Sequence, residues 1–334
     1  MSTPTLPLLD FSQFRAGGLP RQRFLAELRQ AAHEVGFFYL SGHGIDAALA
    51  QQVRELIQAF FALPLADRLA VGMVYSPHFR GYTGLQAELT QGQPDGREQF
   101  DTMSEEPALA TVAANMPWLQ LQGPNQWPSQ LPHMKTVLLN WQQQQTELSL
   151  ELLKAFALAL EQPEDVFQNT VSPQPFVHAK IIHYPGMNNH QQGVGAHKDA
   201  GYLTFVQQYD QAGLEVLVGE QWVRAEPMPN TFVVNIGELL ELASNGYLKA
   251  TLHRVVSPKP GQNRLSSAFF MSARLDATVP LLALPDDLAT AASGPSSDPS
   301  NPLFYQVGQN TLKGRLRSHP DVAQKHYAHV LALC

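Results

Sequence analysis

Apolar residues recur with a helical period over 21–35, where Phe24, Leu28, Ala31 and Val35 form one stripe that Gly36 ends. Ahead of that helix, Leu6 to Leu9 is a short strand candidate. After it, Phe37-Phe-Tyr-Leu40 lacks polar alternation and reads as a buried strand. Ser41-Gly-His-Gly44 then forms a turn, and Asp46 is placed to cap a second helix whose Leu49, Val53, Leu56 and Phe60 face inward. Residues 77–101 have the turn-rich character of a loop with short strands. A long helix is predicted over 131–160 on the stripe Leu138, Trp141, Leu148, Leu152 and Ala155, with Gln142 to Gln145 as a solvated face.

From Phe176 the period shortens from helical to extended. Phe176-Val-His-Ala-Lys-Ile-Ile-His-Tyr184 alternates until Pro185-Gly186 stops it, and strand patterns continue to about Arg274 with turns at Pro229-Asn230 and Asn245-Gly246. Residues 283–302 are rich in Pro, Ser and Asp and read as a surface excursion. A last helical pattern starts at Ser318 to Asp321, with Pro320 in the first turn. Helices followed by many short strands predict an α+β fold: a double-stranded β-helix, or jelly-roll, core flanked by helices. The boundaries expected are one domain over 1–334, comprising an α/β region at 5–110, a helical region at 111–174, the jelly-roll core at 175–280 and a C-terminal excursion and helix at 281–334.

Composition narrows the class of protein. The chain has 334 residues, 44% hydrophobic and 15% charged, which is enough apolar material for a substantial core. A net charge of −7 argues against non-specific nucleic-acid binding. The single cysteine, Cys334, permits no intrachain disulfide, which suits a reducing compartment. The start Met1-Ser-Thr-Pro-Thr shows no leader pattern, and no stretch of 18 apolar residues occurs. A cytoplasmic protein with a small-molecule partner, and with neither a membrane nor a nucleic-acid partner, is expected.

The chemistry concentrates in 193–266. His197 and Asp199 are separated by one residue, so on an extended strand both point to one side while Lys198 points away. A third imidazole, His253, comes from a later strand. Two histidines and one carboxylate with coordination positions left open form the facial triad of non-haem Fe(II) oxygenases. A second His-x-Asp, at His319 and Asp321, lies at a helix start and lacks that strand context. His43 is read as bonding local backbone in its turn and His33 as a surface residue. His178 and His183, five apart on one strand, face opposite ways and cannot share a metal. Arg264 and Ser266 share a face, and an arginine pointing into a barrel is costly without an anion.

The series Gly-x-x-x-His197-x-Asp199-x-Gly-x-Leu-Thr, Gly213-Leu-Glu-Val, Phe232-Val-Val-Asn-Ile-Gly237, Thr251-Leu-His253-Arg-Val-Val and Arg264-Leu-Ser266 resembles the isopenicillin N synthase-like branch of the Fe(II)/2-oxoglutarate dioxygenase superfamily. Towards the N-terminus, Glu34-Val-Gly-Phe-Phe-Tyr-Leu-Ser-Gly-His-Gly44, Phe60-Phe-Ala-Leu-Pro64, Arg80-Gly-Tyr82 and Arg97-Glu-Gln-Phe-Asp101 resemble the same branch. The resemblance implies Fe(II) held by His197, Asp199 and His253, and 2-oxoglutarate held by Arg264, Ser266 and Tyr184. It implies use of O2 to hydroxylate, desaturate or cyclise a small molecule with release of succinate and CO2, without catalytic residues beyond the metal centre. Arg80 and Tyr82, at the barrel mouth in that branch, are candidate substrate contacts; a structural ion pair of Arg80 with Glu88 or Glu98 is the other reading. Ile182-His183-Tyr184 departs from the Asn-x-Tyr of many 2-oxoglutarate users. Two other readings stay open: an oxidase of the isopenicillin N synthase type, which uses O2 without 2-oxoglutarate, and a non-catalytic metal-binding jelly roll. The end Val330-Leu-Ala-Leu-Cys334 lacks the iron-reaching glutamine of that oxidase.

Overall fold

The computed structural model describes residues 5–187, 192–296, 298–299 and 301–331. Cys334 and the chain end compared with the oxidase at 332–334 lie outside them. Twelve strands build two facing sheets. The larger runs, in spatial order, Leu8–Asp10, Phe37–Ser41, Phe232–Ile236, Leu203–Gln208, Asn263–Ser272, Phe176–Pro185, Glu98–Met103 and Gly81–Thr83. The smaller runs Gln221–Arg224, Leu214–Val218, His253–Val256 and Gln192–His197. Leu8–Asp10 and Phe37–Ser41 pair in parallel, which requires a crossover, and the helices Ser12–Ala16 and Gly18–Glu34 provide it. The other pairs in the two sheets are antiparallel.

Period-two alternation divides the large sheet into two faces. Ile182, Tyr184, Val233 and Ala268 pack with Val194, Val216 and Val255 of the small sheet, filling the space between the sheets. Val177, Ala179, Ile181, Phe205 and Phe269 point the other way and pack with Leu152 and Phe156 of the helix Met134–Ala159 and with Phe24 and Phe60. The jelly roll therefore has one interior between the sheets and one helix-covered back.

Several elements differ from expectation. The long helix packs against the helices Gly18–Glu34 and Ala47–Phe61 as well as the sheet, so its buried arc is wider than one stripe. Gln142 and Gln145 are consequently buried, and only Gln143 and Gln144 of that run are solvated. His33 is not a free surface residue: its ring stacks on Tyr247 at 4.3 Å and its Nδ1 lies 2.7 Å from the Tyr247 carbonyl. The excursion at 283–302 contains a helix, Asp286–Ala291, anchored by buried Leu288. Among the described residues, no helix is long and apolar enough to cross a membrane.

Gly237, just past the strand Phe232–Ile236, is where the chain passes closest to the 199–201 loop. A Cβ there would lie 2.0 Å from the Gly201 carbonyl oxygen and 3.0 Å from that of Asp199. Because both neighbours are backbone, Gly237→Ala is expected to destabilise the fold by about 1–3 kcal/mol in urea unfolding. An unchanged midpoint would show that the loop yields without cost.

Candidate active site

Pairing within the small sheet sets His253 directly opposite His197. Asp199 is not on the strand as the alternation argument had it: the strand ends at His197, and Asp199 begins a bend. That bend is held by the start of the helix Glu238–Ala243, where the Glu238 N–H donates to the Asp199 carbonyl at 2.7 Å and Leu239 N–H to that of Gly201 at 3.1 Å. The three side chains converge. His197 Nε2 is 3.5 Å from Asp199 Oδ1, His253 Nε2 is 3.7 Å from Asp199 Oδ2, and one ligand atom from each of the three lies within 4.8 Å of the others.

The surroundings fix which atoms face the centre. His197 Nδ1 lies 2.8 Å from the Gly195 carbonyl and His253 Nδ1 lies 3.1 Å from that of Thr251. A carbonyl only accepts, so both Nδ1 atoms carry the proton and both Nε2 atoms present lone pairs to one point. Thr204 Oγ1 donates to Asp199 Oδ2 at 2.6 Å and Asn235 Nδ2 donates to the same oxygen at 2.9 Å, which fixes the carboxylate plane. Burial pushes His253 down to about 4, and the neighbouring His197 adds to the shift. Burial alone would raise Asp199, but His253, His197 and the Thr204 hydroxyl outweigh it and hold the carboxyl well below its usual range. For His197 burial works downward and Asp199 upward, with a net rise. Two imidazole nitrogens and an ionised carboxylate on one side, with the His197 side chain still 30% exposed, make a donor set that fits Fe(II) with open positions.

On the large sheet, Arg264 pairs with Tyr184, and Ser266 lies between Ile182 and Gln208. Arg264 is 1% exposed. Its guanidinium donates to Ser266 Oγ at 3.2 Å and Gln208 Oε1 at 3.0 Å and sits 4.8 Å from the centroid of the Tyr184 ring. Its Nε has no partner, and among the described residues no carboxylate pairs with it. A buried cation lacking a counter-ion is costly unless an anion joins it.

Arg80 and Tyr82 require correction as free substrate contacts. The Arg80 terminal nitrogens donate to the carbonyls of Ser104 at 2.6 Å and Leu121 at 3.0 Å, so it stitches loops together and makes neither of the ion pairs considered for it. The Tyr82 hydroxyl donates to Glu98 at 2.5 Å beside Arg68. His43 bonds Ile45 N–H and the Asn230 carbonyl, as its turn suggested. His319 is buried next to Ser318, and Pro320 opens the helix Pro320–His326. Lys198 turns away to Glu241. Thr204 and Asn235 were missed, although Asn235 is the single polar residue in the buried run 232–236, a detectable sign of a buried hydrogen bond.

Residues 6–130 match the family model of the non-haem dioxygenase in morphine synthesis N-terminal region, and residues 176–273 that of the 2OG-Fe(II) oxygenase superfamily. The chain is 38% identical over 262 residues to a homoarginine-6-hydroxylase of Oryza sativa subsp. japonica, spanning 75% of this chain and 78% of the relative. It is 32% identical over 353 residues to a 2-oxoglutarate-dependent dioxygenase of Dothideomycetidae sp. (strain 11243), spanning 99% and 95%. The crystal structure of a full-length Neurospora crassa protein in complex with alpha-KG and thymine superposes with a TM-score of 0.74 at 25% identity, covering 92% of this chain and 97% of that one.

A metal at the triad predicts that His197→Ala, Asp199→Ala or His253→Ala removes most Fe(II) binding, while His43→Ala leaves it intact. Thr204→Val, which removes one of the two hydrogen bonds to the Asp199 carboxylate without touching a ligand atom, should weaken Fe(II) by about 10–100-fold in equilibrium dialysis. Stoichiometric iron in His253→Ala would remove that residue from the ligand set.

Proposed function

The chain belongs to the 2OG-Fe(II) oxygenase superfamily, and from that premise we propose that His197, Asp199 and His253 hold its iron while Arg264, Ser266 and Tyr184 receive the distal carboxylate of 2-oxoglutarate. It is an Fe(II)/2-oxoglutarate-dependent dioxygenase. When bound, iron and 2-oxoglutarate supply the chemistry by which O2 oxidises a substrate C–H bond with release of succinate and CO2. The observation that carries the residue assignment is the guanidinium of Arg264, buried with no carboxylate partner and with a free Nε.

The remaining roles belong to the protein. Arg264 offers a planar fork to a carboxylate and Ser266 a hydroxyl beside it, so a keto acid bound there is aligned along the barrel interior. Ile182 stands where many relatives in the branch carry asparagine; Gln208, from the neighbouring strand, is the polar group that orients Arg264 here. Val194, Val216, Val233 and Val255 keep the interior between the sheets apolar, which excludes water from the co-substrate and strengthens its electrostatic contacts. Thr204 and Asn235 hold Asp199 ionised and in plane. A purely structural metal site is disfavoured by three ligands with an exposed side, since structural sites are closed. The oxidase reading is disfavoured by a relative named for 2-oxoglutarate dependence and by a similar structure that holds alpha-KG. The substrate is a small molecule, in keeping with the homoarginine and thymine named for two of the proteins compared.

Titration of the anaerobic Fe(II) protein with 2-oxoglutarate tests the assignment. The wild type should develop a weak visible charge-transfer band. Loss of a buried, fully paired charge costs on the order of 3–5 kcal/mol. Arg264→Ala should therefore weaken 2-oxoglutarate by about a hundredfold or more. Arg264→Lys should rescue little, for want of the fork. Equal affinity in wild type and Arg264→Ala would move the distal carboxylate elsewhere.

A further inference from the structure

Next to the Arg264 site the barrel carries a second set of buried charges that the iron and 2-oxoglutarate do not use. The inward face of the strand Phe176–Pro185 reads Tyr184, Ile182, Lys180, His178, moving away from Arg264. Lys180 Nζ donates to Glu88 Oε1 at 2.9 Å and is 3.7 Å from Asp101 Oδ1. Arg97 donates to Glu88 Oε2 at 2.7 Å, is 3.3 Å from Asp95 Oδ2, and neighbours the phenol of Tyr184. Arg315, from the helix Val307–Ser318, reaches Asp101 Oδ1 at 3.5 Å. Asp95 in turn accepts from Gly195 N–H at 3.4 Å, and the Gly195 carbonyl orients His197. The string of charges thus runs from the co-substrate arginine, past a metal ligand, to the C-terminal helices.

Three carboxylates and three cations meet here, all with side chains at most 11% exposed. Buried ion pairs replaced by apolar residues of like volume are often as stable or more so, so fold stability alone does not account for them. The two imidazoles among them are neutral: burial, together with Arg315, pushes His178 down to about 3, and burial pushes His319 down to about 4. The wall is therefore balanced in charge. It also holds unused hydrogen-bonding capacity, since Arg97 Nε, Gln99 Oε1 and His319 Nε2 are buried without partners. A ligand bearing net charge would leave that charge uncompensated; an apolar ligand would strand the polar atoms.

We propose that this wall is the substrate-recognition surface of the site and that the substrate is a free amino acid, its ammonium taken by Glu88 or Asp101 and its carboxylate by Lys180, Arg97 or Arg315. The inference rests on the dioxygenase reading, because it places the substrate beside iron and 2-oxoglutarate. Ligands that are apolar acids or uncharged bases do not satisfy both signs of charge.

Calorimetric titration of the anaerobic Fe(II) protein, saturated with 2-oxoglutarate, against the twenty standard L-amino acids and L-homoarginine tests this. At least one should bind, and its N-acetyl and C-amide derivatives should each bind about a hundredfold more weakly, since each removes one partner of a desolvated charge pair. The double variant Glu88→Gln/Lys180→Met removes one opposite pair together and keeps the wall neutral. It should lose the amino acid to a similar degree while binding 2-oxoglutarate as wild type does. Binding of 2-oxoglutarate with no amino acid bound, or with amino acid and blocked derivatives bound alike, would overturn the proposal and leave the dioxygenase reading standing. Failure to bind 2-oxoglutarate at all would overturn both. The comparison of free and blocked amino acids on the wild type decides the matter even if the double variant does not fold.

Discussion

The register between His253–Val256 and Gln192–His197 is the constraint on which the site depends. It places His253 opposite His197 although 56 positions of chain separate them. Side chains alternate along a strand, so a slip of one residue would turn His253 out of the barrel and Arg254 in. The pairing shifts by one residue after His253, and burial holds it there: Val255 and Val194 meet between the sheets, while Arg254 lies outside on Glu215 and over the Trp222 ring at 4.1 Å. Metal geometry here is a by-product of packing a hydrophobic interior.

The same interior carries opposite electrostatic demands at its two ends. At one, Asp199 is ionised and two imidazole nitrogens face it, a set that would accept a cation. At the other, Arg264 is a cation awaiting an anion. Each end is costly when alone, because burial penalises an uncompensated charge. On the assignment proposed above, a divalent metal and a dicarboxylate would cancel the two costs together, and the apolar walls between them would raise the strength of both interactions. Stability is therefore traded locally for a site that binds its two small partners in a defined orientation, which is where strained or unsatisfied groups are expected to concentrate.

Much of this was legible in the sequence because the relevant signals are local. His197 and Asp199 are two apart, Arg264 and Ser266 are two apart, and alternation gives the shared face directly. His253 was readable only through an ordered series of motifs, since nothing local ties it to the first pair. What alternation got wrong was Asp199, which leaves the strand because the helix starting at Glu238 captures its carbonyl, a long-range contact with no local mark. Arg80 and Tyr82 were misjudged for a related reason: a charged residue in a loop looks solvent-facing until its carbonyl partners, 24 and 41 residues away, are known. The buried charges at Glu88, Asp101 and Lys180 were invisible for the converse reason, as each looks like an ordinary surface residue until the strands are paired.

The buried triad and the arginine that lacks a carboxylate partner among the described residues are proposed to form one centre that consumes 2-oxoglutarate. An oxygen electrode coupled to succinate quantification tests this on the Fe(II)-loaded wild type supplied with 2-oxoglutarate and, in place of a substrate, ascorbate as the two-electron reductant for the second oxygen atom. The account predicts slow oxygen uptake that depends on 2-oxoglutarate, with one succinate formed for each O2 consumed. Oxygen uptake that proceeds at the same rate without 2-oxoglutarate, or that yields no succinate, would contradict it.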